Sequence, residues 1–70
     1  MNPGQLCKSD LTSVWKNSAR HLEPGIRLGV LQYGDLVMII EVSHFEAKII
    51  TFNGVIGWVE KKFLYKIDNF

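Results

Sequence analysis

Apolar positions come in short bursts along this chain, and each burst stops at a glycine, an asparagine or a charge. The longest wholly apolar run, Leu36 to Ile40, follows the turn signal Gly34-Asp35 and continues through Glu41 to Val42. Branched residues in this density predict a strand. Apolar side chains on both of its faces predict that it is central or covered on both sides. Ser43-His44 interrupts it, and Phe45 to Phe52 predicts the next strand, with Glu46 and Lys48 as its only charges. Asn53-Gly54 then reads as a two-residue hairpin turn, because Asn followed by Gly best tolerates the positive φ such a turn needs at both central positions. Counting outward pairs Phe52 with Val55, Thr51 with Ile56, Ile50 with Gly57 and Ile49 with Trp58. One face then carries Ile50, Phe52, Val55 and Val59, and the other carries Ile49, Ile56 and Trp58. A glycine in mid-strand, as at Gly57, predicts a bend or a close approach.

The flanks are less regular. Glu60 to Leu64 is too short for a helix and too polar for a strand, which predicts a single tight turn before a last short strand at Leu64 to Ile67. Gln5 to Lys8 predicts the first strand. Between them, residues 9–31 carry only weak helical signals. Ser9 or Asp10 is an N-cap candidate, and Leu11, Val14 and Trp15 are spaced for one helical turn. The intervening Ser, Thr and Val are poor helix formers, and Pro24-Gly25 ends whatever forms. Residues 9–31 therefore read as a long loop with irregular pairing, either functional or packed by its own side chains. The expectation is all-β: one domain over residues 1–70 whose five short antiparallel strands curl into a small barrel, burying their apolar faces and protecting their edges.

Composition narrows the partner more than the fold. With 47% hydrophobic and 21% charged residues the chain is globular rather than disordered. Its formal charge is +1 and only Lys61-Lys62 are adjacent, so there is no basic stripe of the kind nucleic acids or acidic membranes select. Cys7 is alone, which excludes an intrachain disulfide and a cysteine zinc cluster and suits a small buried hydrophobe. The start MNPGQLCKSD lacks the basic end and apolar centre of a secretory signal, and no apolar run is long enough to span a bilayer. The expected location is cytoplasmic, without a membrane partner.

Candidate chemistry adds little. His21 and His44 share no ligand spacing with each other, with Cys7 or with a pair of carboxylates. Ser9, Ser13, Ser18 and Ser43 lack a glycine-flanked nucleophile elbow. Glu41, Glu46 and Glu60 are single carboxylates on strands, and no phosphate-cradling glycine loop is present. No catalytic residue, metal or cofactor is expected, and the chain does not read as an enzyme.

Gly34-Asp35 before a branched strand, the Asn53-Gly54 hairpin, Gly57-Trp58-Val59 and the turn from Lys61 to Leu64 together resemble the Src-homology-3 family, above all its bacterial and phage variants. The likeness covers residues 31–67 well and residues 5–30 only by length. Proline-binding members carry a tyrosine-rich motif after the first strand, a tryptophan opening the third and a proline after the fourth. Here those places hold KSDLTS, Phe45 and Glu60, and only Phe63 stands where the family presents an aromatic to its ligand. Without that aromatic ladder no proline-rich ligand is expected. The resemblance implies a non-catalytic protein-interaction module, such as a small bacterial or bacteriophage accessory protein, that docks on a protein or on itself.

The candidate partner-binding residues are Trp15, Arg20, Tyr33, Trp58 and Phe63. Trp58 belongs to an apolar strip that the long loop covers through Trp15 or that forms an interface. The segment Trp15 to His21 borders the family's usual ligand surface, with Tyr33 and Phe63 as possible neighbours. The alternative is a nucleic-acid-binding barrel, which requires Lys16, Arg20, Arg27 and Lys61-Lys62 to converge; a cell-wall-binding module is more remote.

Overall fold

Alternation of inward apolar and outward residues builds the described residues into strands alone, apart from one 3-10 turn. The structure is a computed structural model and describes residues 1–18 and 25–67. Its strands are β1 (Leu6–Ser9), β2 (Thr12–Trp15), β3 (Arg27–Leu31), β4 (Leu36–Val42), β5 (Glu46–Thr51), β6 (Ile56–Glu60) and β7 (Leu64–Lys66), with the 3-10 turn at Lys61–Phe63 between β6 and β7. All seven strands join one open antiparallel sheet in the order β3-β2-β6-β5-β4-β1-β7. No helix among the described residues is long and apolar enough to cross a membrane.

Seven strands replace the expected five because residues 9–31 are not a loop throughout. Thr12–Trp15 and Arg27–Leu31 pair with each other, and Trp15 pairs in turn with Trp58 of β6. The helical spacing of Leu11, Val14 and Trp15 gives way to the two-residue period of a strand, with Val14 buried and Trp15 turned out. β-Branched Thr12 and Val14 suit that period, and tertiary pairing outweighs the weak helical propensity. The expected N-cap at Ser9 is instead a buried strand end. Its hydroxyl donates to the Gln32 carbonyl at 3.0 Å and its backbone amide donates to the Asp35 carbonyl at 2.8 Å.

The β5–β6 hairpin forms where expected, but with a different turn. The Gly54 amide donates to the Thr51 carbonyl at 3.0 Å and the Thr51 amide donates to the Val55 carbonyl at 2.8 Å, which leaves a three-residue loop of Phe52, Asn53 and Gly54. Gly54 has φ +89°, and no non-glycine residue among those described has a positive φ. This is the type I turn closed by a left-handed glycine rather than the two-residue primed turn. The Thr51 hydroxyl sets it further, accepting from the Val55 amide at 3.0 Å while bonded to the Asn53 side chain at 2.7 Å.

One extra loop residue moves the register by one, so Ile50 faces Ile56, Ile49 faces Gly57 and Lys48 faces Trp58. A slip of one exchanges the faces of a strand. Ile49 therefore lies inside with Ala47 and Val59, while Ile50 joins Ile56 and Trp58 on the other face.

The concave inner face holds the core: Cys7, Val14, Leu31, Val37, Ile39, Ala47, Ile49, Val59 and Leu64, with Val42, Val55 and Phe63 packed at its margin. Burial pushes the Cys7 thiol above its ordinary pKa, which suits an inert core residue. Gly57 lies where β2 crosses closest to β6. A Cβ there would stand 2.5 Å from Val14 Cγ1 and 2.7 Å from the Trp15 carbonyl oxygen. The close approach expected of a mid-strand glycine is thus supplied by the strand that carries Trp15.

Candidate protein-docking surface

The outer face of the sheet follows from the same registers. Residues opposite each other in a ladder share a face, so pairing from strand to strand traces rows of side chains. One row runs Leu6, Met38, Ile50, Ile56 across β1, β4, β5 and β6. The next runs Glu41, Lys48, Trp58, Trp15, Arg27 across β4, β5, β6, β2 and β3. Leu6 is 49% exposed, Met38 43%, Ile56 47% and Trp15 39%. Ile50, Lys48 and Trp58 are half-buried between them, and Ile40 is exposed at the irregularity between Ile39 and Glu41. The result is a continuous apolar surface over five strands, with charges in the second of these rows and in the Glu46–Glu60 pair beyond it.

Two neighbouring features bound this surface. Glu46 on β5 is buried, and its carboxylate accepts the Ser18 hydroxyl at 2.5 Å, so the segment after β2 folds over that end of the sheet. Glu46 stands opposite Glu60 on β6, a like-charge pairing that is unfavourable by itself. The Ser18 bond on one carboxylate and Lys62, 3.5 Å from the other, offset it.

Of the candidate residues, Trp15 and Trp58 are brought together as register partners on β2 and β6. The strip around Trp58 is corrected in one member: Ile50 takes the place of Ile49, which is fully buried. Trp15 lies beside the strip rather than over it, since Ile56 stays exposed. Tyr33 is elsewhere, in the β3–β4 turn, where it is 78% exposed. It shares the Asp10 carboxylate with Tyr65, whose hydroxyl donates to Asp10 Oδ2 at 2.9 Å.

The Tyr65 bond, followed by one from the Leu11 amide, holds Asp10 below the usual aspartate pKa, and the carboxylate raises both tyrosines. Phe63 in the 3-10 turn joins this second group through its carbonyl, which accepts the Asp10 amide at 2.7 Å; its ring lies 5.2 Å from Lys62 Nζ. Arg20 and His21 lie outside the described residues. His44 packs edge-on against Phe45 at 4.3 Å in the β4–β5 turn. Among the described residues no group of three or more His, Cys, Asp or Glu side chains is placed to hold a metal.

A cleft of about 640 Å3 opens on the opposite side, between β3, the β3–β4 turn and the hairpin tip. Leu28, Val30, Leu36 and Val55 wall it over a floor of Val14 and Leu31. Its polar groups are engaged internally: the Asp35 carboxylate accepts the Gln32 amide at 2.9 Å, and Thr51 and Asn53 bond each other. A ligand site needs polar groups free to converge on the ligand, so the outer sheet face is the stronger candidate.

Sequence reasoning missed Leu6, Met38, Ile40 and Ile50 as members of this face. Their signal was present in the two-sided apolarity of Leu36 to Val42. In comparisons with protein-family models, with curated proteins and with solved structures, nothing matches this chain.

Proposed function

We propose that this chain is a non-catalytic protein-interaction module, an Src-homology-3-like small barrel that docks through the outer face of β1, β4, β5, β6 and β2. The observation that carries the reading is the contiguous exposure of Leu6, Met38, Ile40, Ile56 and Trp15 around half-buried Trp58. Single exposed apolar residues are ordinary. A continuous patch over five strands is what monomers avoid and interfaces contain. Tryptophan at its centre fits the enrichment of that residue at binding hot spots.

The barrel likeness is supported by the order β4, β5, hairpin, β6, 3-10 turn, β7, with the paired strands β2 and β3 standing where the family has its long connection after the first strand. Trp58 and Phe63 fall on different surfaces, so docking through the sheet face does not use the place where proline-binding members present their aromatics.

Photo-crosslinking tests the reading. A diazirine side chain at position 56 is expected to give protein adducts, and the same group at position 33 none. Absence of protein adducts from position 56, or equal yields from both positions, overturns it.

A further inference from the structure

We propose that the outer face is self-complementary and that its occupant is a second copy of this chain, related by a two-fold axis along β6 through Trp58. The proposal rests on reading that face as a docking surface and adds the identity of the partner. Its basis is the order of side chains in the charged row. Lys48, Trp58 and Trp15 stand on three adjacent strands, about 4.8 Å apart from strand to strand. A two-fold axis lying between two facing sheets and parallel to their strands reverses the strand order of one copy relative to the other. With the axis on β6, Trp58 meets Trp58, and Lys48 of each copy comes over Trp15 of the other, twice by symmetry.

An ammonium over an indole face is an attractive pairing. It gives a role to a half-buried lysine that stands between Glu41 and Trp58 in the row and has no ion-pair partner within 4 Å among the described residues. In the adjoining row Ile56 meets Ile56, with Ile50 beside it. Farther out, the same operation turns Glu41 toward Arg27, opposite in sign. No like charges face each other along this row; in the row beyond it Glu60 meets Glu60, each with its own Lys62 at 3.5 Å.

Area and net charge agree. A stable interface takes about 800 Å2 from each partner, roughly a sixth of the 4909 Å2 that the chain exposes. Reversing the strand order about β6 overlaps β3, β2, β6, β5 and β4, five of the seven strands. A formal charge of +1 leaves little repulsion between two copies. A nucleic acid gains less, because Glu41, Glu46 and Glu60 lie on β4, β5 and β6 around Lys48. Closed two-fold dimers are also the commonest homo-oligomers.

Sedimentation equilibrium of the full chain is the test, with far-UV circular dichroism as the control for folding. The wild-type protein is expected at twice the 8.0 kDa of one chain, and Ile56→Asp at the monomer mass with an unchanged spectrum. Lys48→Glu is expected to weaken association at least tenfold. In a double-mutant cycle, Trp15→Ala is expected to have a smaller effect once Lys48 is already alanine.

A wild-type chain that stays monomeric at millimolar concentration overturns the proposal, as does a dimer indifferent to Ile56→Asp. If that monomer still crosslinks a different protein from position 56, the second copy fails and the docking surface stands. If it instead binds oligothymidylate with strong salt dependence and gives no protein adduct, both fail.

Discussion

Replacing Gly57 by alanine probes the crossing on which the sheet's shape depends. In an ordinary strand the change is favourable, because glycine is destabilising there by about 0.5–1 kcal/mol relative to alanine. Here the added Cβ would stand 2.5 Å from Val14 Cγ1, 2.7 Å from the Trp15 carbonyl oxygen and 3.3 Å from Leu28 Cδ1. Comfortable carbon contacts lie at about 3.5–4.0 Å, so β2 must retreat from β6 by the better part of an ångström. Val14 can change rotamer, but the Trp15 carbonyl is backbone and cannot. Overpacking of this kind costs about 1–3 kcal/mol, and weakening the Trp15–Trp58 pairing adds about 1 kcal/mol for each net hydrogen bond lost.

A net loss of about 2 kcal/mol is a large share of the roughly 3.5–10 kcal/mol available to a domain of 70 residues. It corresponds to a fall in Tm of about 8–16 °C. Urea unfolding, followed by tryptophan fluorescence and circular dichroism at one fixed protein concentration, measures it; the fixed concentration removes the contribution of association. Gly29→Ala on β3 is the internal control. Its Cβ would meet nothing within 4 Å and its φ is not positive, so it is expected to be neutral or stabilising by about 0.5–1 kcal/mol. Equal effects at the two glycines, or a stabilised Gly57→Ala, would refute the close crossing.

Two further perturbations test the register and the surface electrostatics. Ile49→Ala is expected to cost about 2–5 kcal/mol, as for fully buried aliphatics, while Ile50→Ala on the outer face costs about 1 kcal/mol or less in the monomer; the reverse ranking in denaturant unfolding would restore the two-residue turn. Asp10 has a folded pKa below its ordinary value, so its contribution is complete above about pH 4 and is lost as pH falls through the lower folded pKa. The raised pKa values of Tyr33 and Tyr65 act with the opposite sign: their contribution is complete below about pH 10 and is lost as pH rises through the folded values. Ultraviolet titration should show late tyrosine ionisation in the wild type that returns toward the ordinary range in Asp10→Asn.

The parts of this fold that were legible in the sequence are those carried by local signals. β4 occupies Leu36–Val42 as its branched run predicts, the 3-10 turn falls on Lys61–Phe63, and a hairpin turns at Asn53-Gly54. The register was not legible, because Asn-Gly serves both a two-residue turn and a three-residue one. The choice rests on whether Asn53 shares a positive φ with Gly54, and only Gly54 takes it. β2 and β3 were missed because strands of four and five residues carry little signal alone; they form by pairing with each other across the residues between them, and Trp15 of β2 joins them to β6, far along the chain. At the candidate site, Trp15 and Trp58 could be named but not shown to be neighbours, while the strand of Met38 and Ile40 was expected to be central or covered on both sides; it is central, between β5 and β1, with one face exposed.

The two-sided apolarity of that strand bears on the proposed function. Apolar residues on both faces of a strand are usually explained by a second layer, and a chain of this length can supply one only by curling its sheet. Curling creates a single interior, and among the described residues it buries nine hydrophobic side chains while leaving fifteen large ones exposed. Leu6, Met38, Ile40 and Ile56 gain nothing from the core, yet they form neighbouring positions on adjoining strands. Exposed at random, they would be unremarkable; their alignment in rows around two tryptophans is what supports the proposal of a second layer from a partner. Sheets packed face to face supply such a layer at about 10 Å; in the proposed assembly the inner face serves the fold and the outer face the partner. Single charges at Met38 and Ile56 separate the two roles: they should leave unfolding of the monomer within about 0.5 kcal/mol, as for ordinary surface positions, while abolishing association. A loss of monomer stability comparable to that of Ile49→Ala would mean that these side chains belong to the fold itself.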